Sequence, residues 1–160
     1  MKVDRKPSKT RTREGPLAAR PRIGSGPKIP APGACPKCGA CYVEGRWTWS
    51  KPPAGAVRRK CPACRRAEYH DAGGYVTLGG PFLALHREEV IQLVRAREAR
   101  QKAEHPLERI IAIVPQGDEL IVSTTEAHLA RTIAHALQEA FKGEMELSPG
   151  ARPLRARWHR

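Results

Sequence analysis

The 160-residue sequence predicts an α+β protein, in which a small cysteine-based ribbon precedes a helix and an antiparallel β-β-α-β-β module. Three observations lead to this prediction. Two C-x-x-C pairs are separated by 22 residues, a helical pattern runs from Pro81 to about Glu104, and short apolar strands flank one amphipathic helix. We therefore expect four segments: a disordered basic arm at 1–33, the ribbon at 34–80, a connecting helix at 81–106 and a small α+β domain at 107–160.

The cysteine pairs have the spacing of a structural metal site. Cys35 and Cys38 form the first pair, and Cys61 and Cys64 form the second. Four thiolates can complete the tetrahedron of one Zn²⁺ ion and leave no position for a substrate, so the sequence predicts a zinc ribbon with four cysteine ligands. Because the segment 34–80 has few apolar residues to bury, metal binding is expected to supply much of its folding free energy, on the order of 10–16 kcal/mol.

Two other uses of the cysteines stay open. A rubredoxin-like iron site would have the same four ligands. Disulfides would suit an exported chain, but the N-terminus is charged throughout and lacks the pattern of an export signal. This, together with the lack of an apolar run of ~18 residues, predicts a cytoplasmic protein. The fifth cysteine, Cys41, is expected to be a small, partly buried residue, because a third ligand so close to Cys38 would strain the turn.

Residues 42–60, between the cysteine pairs, predict a β-hairpin. Residues from Tyr42 to Trp49 favour a strand, and Lys51-Pro-Pro-Ala-Gly55 is expected to end it. Trp47 and Trp49 are two residues apart and would share one face of the strand. They would either cover the small core of the ribbon or stack on a nucleic-acid base.

The charge of the chain is unevenly distributed. The net charge is +13; residues 1–34 carry nine Lys/Arg against two Asp/Glu, residues 35–70 carry eight against two, and residues 105–150 carry three against seven. A basic arm and ribbon of this kind are typical of proteins that bind a polyanion such as RNA, whereas the acidic segment could face a protein or the ribbon. The predicted nucleic-acid-binding residues surround the second cysteine pair or belong to the hairpin: Arg58, Arg59, Lys60, Arg65, Arg66, Trp47 and Trp49.

The second half of the chain predicts a helix followed by the α+β module. The helix from Pro81 is apolar at first and then polar all round, so it should dock at one end and span solvent at the other. A Pro115-Gln-Gly-Asp118 turn joins two strands, and a helix beginning at Thr125 should end at Gly143. Its apolar stripe comprises Leu129, Ile133, Leu137, Ala140 and Phe141.

No catalytic motif is recognisable in the sequence. His128 and His135 lie on roughly one face of the predicted helix, but no cysteine or acidic motif converges with them in sequence. They are interpreted as partly exposed structural histidines, and no small-molecule substrate is expected. The sequence therefore predicts a protein that is not an enzyme.

The segment around the second cysteine pair resembles a known family. Cys61-Pro-Ala-Cys-Arg-Arg, Gly73-Gly-Tyr-Val-Thr-Leu-Gly-Gly and Arg87-Glu-Glu-Val-Ile-Gln-Leu are similar to the zinc-binding region of the nonsense-mediated-decay protein three family, adaptors of the large ribosomal subunit. Small bacterial zinc-ribbon proteins look similar over nearly all of 34–158. The resemblance implies ribosomal RNA as the polyanion, a bacterial origin and the same four cysteine ligands. The adaptors carry further cysteine pairs that this chain lacks.

Two rival functions use the same residues. A DNA-associated or transcriptional zinc ribbon would need the same cations. A protein-interaction adaptor with a redox-responsive zinc site would use the same thiolates, which oxidation can release from the metal.

Overall fold

A computed structural model describes residues 32–160, so nearly all of the predicted basic arm lies outside the described residues. The predicted α+β class is confirmed. The described residues form a four-stranded sheet and a five-stranded sheet together with four helices. No helix within this range is long and apolar enough to cross a membrane.

The first unit spans 33–69 and is called the ribbon here. Its sheet has the strand order β3-β2-β1-β4, and helix α1 follows the last strand. The elements are β1 (Gly33–Ala34), β2 (Cys41–Val43), β3 (Arg46–Thr48), β4 (Val57–Arg58) and α1 (Pro62–Tyr69).

The hairpin of the ribbon turns earlier than the sequence predicts. Tyr42 pairs with Trp47, so the turn residues are Glu44 and Gly45 and not the proline-rich segment 51–55. Both turn residues have positive φ, 50° at Glu44 and 84° at Gly45. A two-residue turn of this kind matches the right-handed twist of the two strands, and glycine adopts such a conformation without steric cost. The proline-rich segment instead leads into β4.

The second unit spans 74–159 and is called the module here. Its sheet has the order β6-β7-β5-β9-β8, with helices packed on one face. The elements are β5 (Gly74–Gly79), α2 (Pro81–Leu85), α3 (Arg87–Glu104), β6 (Ile110–Gln116), β7 (Glu119–Thr124), α4 (Ala127–Phe141), β8 (Glu144–Leu147) and β9 (Leu154–His159).

Strand β5 belongs to the module, although the sequence analysis groups it with the ribbon at 34–80. It is the central strand, antiparallel to β7 and parallel to β9, so the sheet is mixed and not purely antiparallel. Val76 and Leu78 on this strand are completely buried. The apolar face of β5 therefore needs the helices of the module, which the small ribbon could not supply.

The predicted helix over 81–106 is interrupted and is part of the module core. It breaks at His86, which has φ −123° and ψ 28°. The break lets Leu83 of α2 and Val90 and Val94 of α3 enter one core. The polar half of α3 does not simply span solvent, since the carbonyl of Lys102 accepts a hydrogen bond from Trp49 Nε1 at 2.6 Å.

Helix α4 packs directly on β5. Leu129, Ile133 and Leu137 of its predicted apolar stripe are completely buried, whereas Ala140 is exposed. Gly74 makes the close approach possible, because a Cβ atom there would lie 2.6 Å from Ala130 Cβ. Trp158 of β9 completes this core and donates its indole N–H to the carbonyl of Lys142 at 2.7 Å.

Candidate metal centre

The four predicted ligand cysteines come together in the ribbon. The sulfur atoms of Cys35, Cys38, Cys61 and Cys64 all lie within 4.8 Å of one another. The Sγ atoms of Cys38 and Cys61 are 3.7 Å apart. Zinc–sulfur bonds of about 2.3 Å in a tetrahedron require sulfurs about 3.8 Å apart, so this spacing fits a metal ion. The donor set can therefore hold one metal ion, and all five cysteines are free of disulfides.

Two tight turns orient the four cysteine sulfurs toward a common centre. In the first, the Gly39 N–H donates to the carbonyl of Cys35 at 2.9 Å, and Gly39 has a φ of 82° that glycine tolerates best. The backbone N–H of Ala40 then lies 3.5 Å from Cys38 Sγ. In the second, Cys61 is the N-cap of α1 and its sulfur accepts from the N–H of Cys64 at 3.4 Å. Backbone donors of this kind stabilise thiolates.

Burial and hydrogen bonds change the acidity of the thiols in opposite directions. Burial raises the pKa of Cys61, and burial together with Cys38 raises the pKa of Cys64 against the opposing effects of Cys61 and Arg109. Burial also acts against ionisation of Cys35, but hydrogen bonds from the backbone of Cys61, Lys37 and Cys38 outweigh it and lower its pKa to about 6. Metal binding must therefore displace protons from Cys61 and Cys64 at neutral pH.

Arg109 lies beside the sulfur cluster and was not predicted as a site residue. Its Nη2 donates to Cys38 Sγ at 3.0 Å, its Nη1 donates to Cys64 Sγ at 3.3 Å, and Cys61 Sγ is 3.8 Å from Nη2. Burial disfavours the charged guanidinium, yet the hydrogen bond to Cys38 and the nearby thiolates outweigh this and raise the pKa of Arg109. Four thiolates and a divalent ion carry a net charge of −2, so one adjacent cation partly neutralises the centre.

Arg109 also fixes the ribbon against the module. It comes directly before β6, its Nε donates to the carbonyl of Pro106 at 2.8 Å, and its guanidinium lies over the ring of Trp49 at 5.7 Å. Arg66 of α1 makes a second link by donating to the carbonyl of Thr125 at 2.6 Å. Of the two positions expected for the acidic segment, the structure therefore shows one, in which it packs on the ribbon.

The seven residues predicted to bind nucleic acid differ in their surroundings. Lys60 is paired with Glu68, and Arg66 is engaged with Thr125. The three remaining arginines, Arg58, Arg59 and Arg65, are exposed and form no ion pair with another described residue.

The two tryptophans do not form a shared open face. Trp47 packs against the cysteine cluster, with its ring 5.5 Å from that of Tyr42. Trp49 lies beyond the end of β3 and is 39% exposed, but Arg109 covers its ring and its N–H is bonded to Lys102. Both side chains thus have structural contacts within the protein.

Cys41 and the histidines lie outside the metal cluster. Cys41 is completely buried, and its sulfur contacts the carbonyl of Gly39 at 3.5 Å. His135 is exposed. His128 is also largely exposed, but its Nδ1 is 2.8 Å from Oε1 of the buried Glu108, a partner that lies 20 residues away in sequence.

A cleft of about 460 Å³ separates the ribbon hairpin from the loop that precedes β6. Trp47 forms one wall, and Glu108, Glu126 and His128 lie on the other. Burial raises the pKa of Glu126, and the nearby Glu108 adds to this effect, while Arg66 opposes it. Within the described chain, the four cysteines are the only group of three or more His, Cys, Asp or Glu side chains close enough to share an ion, and the residues of the cleft do not form such a group.

Comparison of the chain with protein-family models, with curated proteins and with solved structures finds no match.

Proposed function

We propose that this protein is a non-enzymatic, cytoplasmic zinc-binding factor that binds RNA through its basic ribbon and arm. The observation that carries the proposal is the cluster of four cysteine sulfurs, which can hold one ion in a ribbon that presents three exposed arginines without an ion pair to any residue of 32–160: Arg58, Arg59 and Arg65. The ion builds a surface and does no chemistry, since four thiolates fill a tetrahedral coordination sphere.

Zinc is favoured over iron by the surroundings of the site. Tetrathiolate sites bind either metal, but three of the four cysteines are buried and a cation lies against their sulfurs. These cationic surroundings fit a binding surface better than an electron carrier, which favours zinc as a structural ion. Elemental analysis of the protein purified under reducing conditions should give one zinc per chain. One iron per chain, with the visible absorption of ferric thiolates, would contradict this assignment.

RNA is supported as the partner by charge and by chemistry. The planar guanidinium groups of these arginines form no ion pair within the described part of the chain, and such groups can bind phosphate oxygens in a bidentate manner. The resemblance of the second cysteine segment to the nonsense-mediated-decay protein three family favours ribosomal RNA and the large subunit as the target in a bacterial cell. For the module, whose helices pack on one face of the sheet, we propose a protein partner on the opposite face.

A salt series tests this proposal. Binding to a fluorescent ribosomal RNA fragment, and co-sedimentation with ribosomal subunits, would be measured from about 50 to 300 mM salt. If the arm and ribbon make about six to ten phosphate contacts, affinity should fall by ~10³ or more over this range. No binding to RNA or ribosomes near physiological salt would refute the proposal.

Matched triple variants locate the binding surface. Replacing Arg58, Arg59 and Arg65 by alanine should reduce the salt slope by about two to three, because each phosphate contact contributes about 0.7–0.9. The control replaces three exposed arginines of the module and removes the same charge: Arg95, Arg100 and Arg131. Equal losses in both variants would show that net charge, and not the ribbon, determines binding.

Experiments on the same purified protein distinguish the two rival functions. Preference for duplex DNA over RNA at equal salt would favour a DNA-associated zinc ribbon. For the redox-responsive adaptor, zinc content and RNA binding would be measured before and after mild peroxide. Retention of zinc with unchanged binding would exclude that function.

A further inference from the structure

We propose that Tyr69, on the exposed face of helix α1, is the platform on which a base of single-stranded RNA stacks. This inference rests on the proposed function and names the form of nucleic acid that the ribbon recognises. The two tryptophans that the sequence suggests as stacking residues have rings that are engaged within the protein. Tyr69, which was not among the predicted nucleic-acid-binding residues, takes that role instead.

Tyr69 is unusually accessible for an aromatic residue. It is 59% exposed, more than any other aromatic side chain among residues 32–160, whereas Trp47 is packed against the cysteine cluster. Its ring makes no aromatic stacking or cation–π contact, and its hydroxyl makes no hydrogen bond, with another described residue. Because the ring has no such partner among the described residues, its exposed face is available to a ligand.

The position of Tyr69 on α1 places it within the cationic part of the ribbon. Arg65 precedes it by four residues and therefore lies on the same face, one turn earlier. The opposite face is fixed, because Ala63 and Cys64 are buried against the metal cluster. The helix is thus anchored by the metal ligands and presents a guanidinium and a phenol ring together.

Lys60 shows that the basic segment following β4 lies next to this face of α1. Its ammonium group is paired with Glu68, the neighbour of Tyr69, so the segment that follows β4 lies alongside α1. This pair neutralises the nearest acidic side chain. Arg58 and Arg59 precede Lys60 directly and are exposed. Basic residues of two segments, Arg65 of α1 and Lys60 after β4, therefore lie near Tyr69, and the one carboxylate between Arg65 and Tyr69 in the sequence, that of Glu68, is paired.

This combination fits a single strand better than a duplex. In a duplex the bases are stacked on one another and their faces are not available, whereas an unpaired base can stack on an aromatic ring while arginines bind the adjacent phosphates. Stacking is tolerant of sequence, because every base has such a face. We therefore expect the ribbon to bind a loop, bulge or end of RNA in preference to a regular helix.

The test compares Tyr69→Ala with Tyr69→Phe in the zinc-loaded full-length chain. Probes are a fluorescent single-stranded RNA of about twelve nucleotides, within the range of known single-strand site sizes, and a blunt-ended RNA duplex of the same sequence. Tyr69→Ala should weaken single-strand binding roughly 5- to 150-fold, which corresponds to about 1–3 kcal/mol per stacked base, and Tyr69→Phe should bind like the wild type. The salt slope should stay unchanged, whereas Arg65→Ala should reduce it by about one.

Four outcomes would decide the matter. A loss confined to Tyr69→Ala and to the single strand supports the inference. Single-strand binding by Tyr69→Ala equal to that of the wild type overturns it and leaves the proposed function intact. Equal losses in the alanine and phenylalanine variants overturn it as well, since they would indicate a hydrogen bond of the hydroxyl. A wild-type protein that binds no RNA would remove the proposed function itself. Zinc content and circular dichroism of each variant would show that the ribbon remains folded.

Discussion

Arg109 offers the sharpest test of how the ribbon and the module depend on each other. The Arg109→Met variant keeps the length and much of the apolar volume of the side chain but removes its charge and donors. In the wild type, the guanidinium of Arg109 donates to Cys38 Sγ at 3.0 Å and Cys64 Sγ at 3.3 Å, and also to the carbonyl of Pro106 at 2.8 Å. We expect Arg109→Met to weaken zinc binding.

The magnitude follows from the charges involved. Two unit charges about 4 Å apart attract by about 4 kcal/mol at an effective dielectric constant of 20, and the burial of the guanidinium offsets much of this. Groups that donate to metal ligands generally change metal affinity by about 10–100-fold, or roughly 1.4–2.7 kcal/mol. Arg109→Lys keeps the charge but not the two-pronged geometry, so its loss should be smaller.

The assay is equilibrium competition with a chromophoric zinc chelator at fixed pH under reducing conditions. Arg131→Met, at an exposed position on α4 without an ion pair among the described residues, is the matched control for the change in net charge. Hydrogen exchange of the central strand β5 would report whether the module stays folded. If Arg109→Met binds zinc within twofold of the wild type and of the control, the contacts of Arg109 contribute nothing to metal affinity and the reasoning is wrong.

Three further predictions concern folding. Removal of zinc should unfold residues 33–69 and leave the module protected in hydrogen exchange, because the buried cysteine cluster of the ribbon is separate from the core of the module. Loss of protection throughout β5 would contradict this prediction. Gly74→Ala should destabilise the module by more than about 1 kcal/mol in denaturant unfolding, because the added Cβ would lie 2.6 Å from Ala130 Cβ. Gly117→Ala is the control: its added Cβ meets no neighbouring atom, so this variant measures only the cost of a positive φ. Glu126→Gln should stabilise the protein at pH 7. The raised pKa of Glu126 means that its ionisation opposes folding as the pH rises above its ordinary value of 4.5, so the difference in melting temperature should shrink toward pH 4; a gain that persists there would point to another cause.

Local patterns in the sequence predicted much of the architecture. The spacing of the cysteine pairs identified the four residues whose sulfurs converge, and Cys41 lies outside the group as expected, although it is completely and not partly buried. The apolar stripe of α4 and the alternation of the flanking strands predicted the β-β-α-β-β pattern, because these signals repeat with the period of one element. The hairpin turn was misplaced, although Glu44-Gly45 is itself a short-range signal for a two-residue turn.

Other features depend on residues that are distant in the chain. The assignment of β5 to the module could not be predicted, because a strand between two glycine pairs fits either unit until its partners β7 and β9 are known. The contacts of Arg66 with Thr125 and of Glu108 with His128 join residues 59 and 20 positions apart, and no local pattern signals them.

The sequence alone determined that this protein has a four-cysteine site, a basic ribbon and an amphipathic α+β module, since ligand type, charge and periodicity are properties of short segments. Only the tertiary structure decided which cations remain free and which are used internally. Arg109 shows the reason most directly: its guanidinium reaches a sulfur 71 positions earlier in the chain, and such a contact exists only after the ribbon has packed on the module.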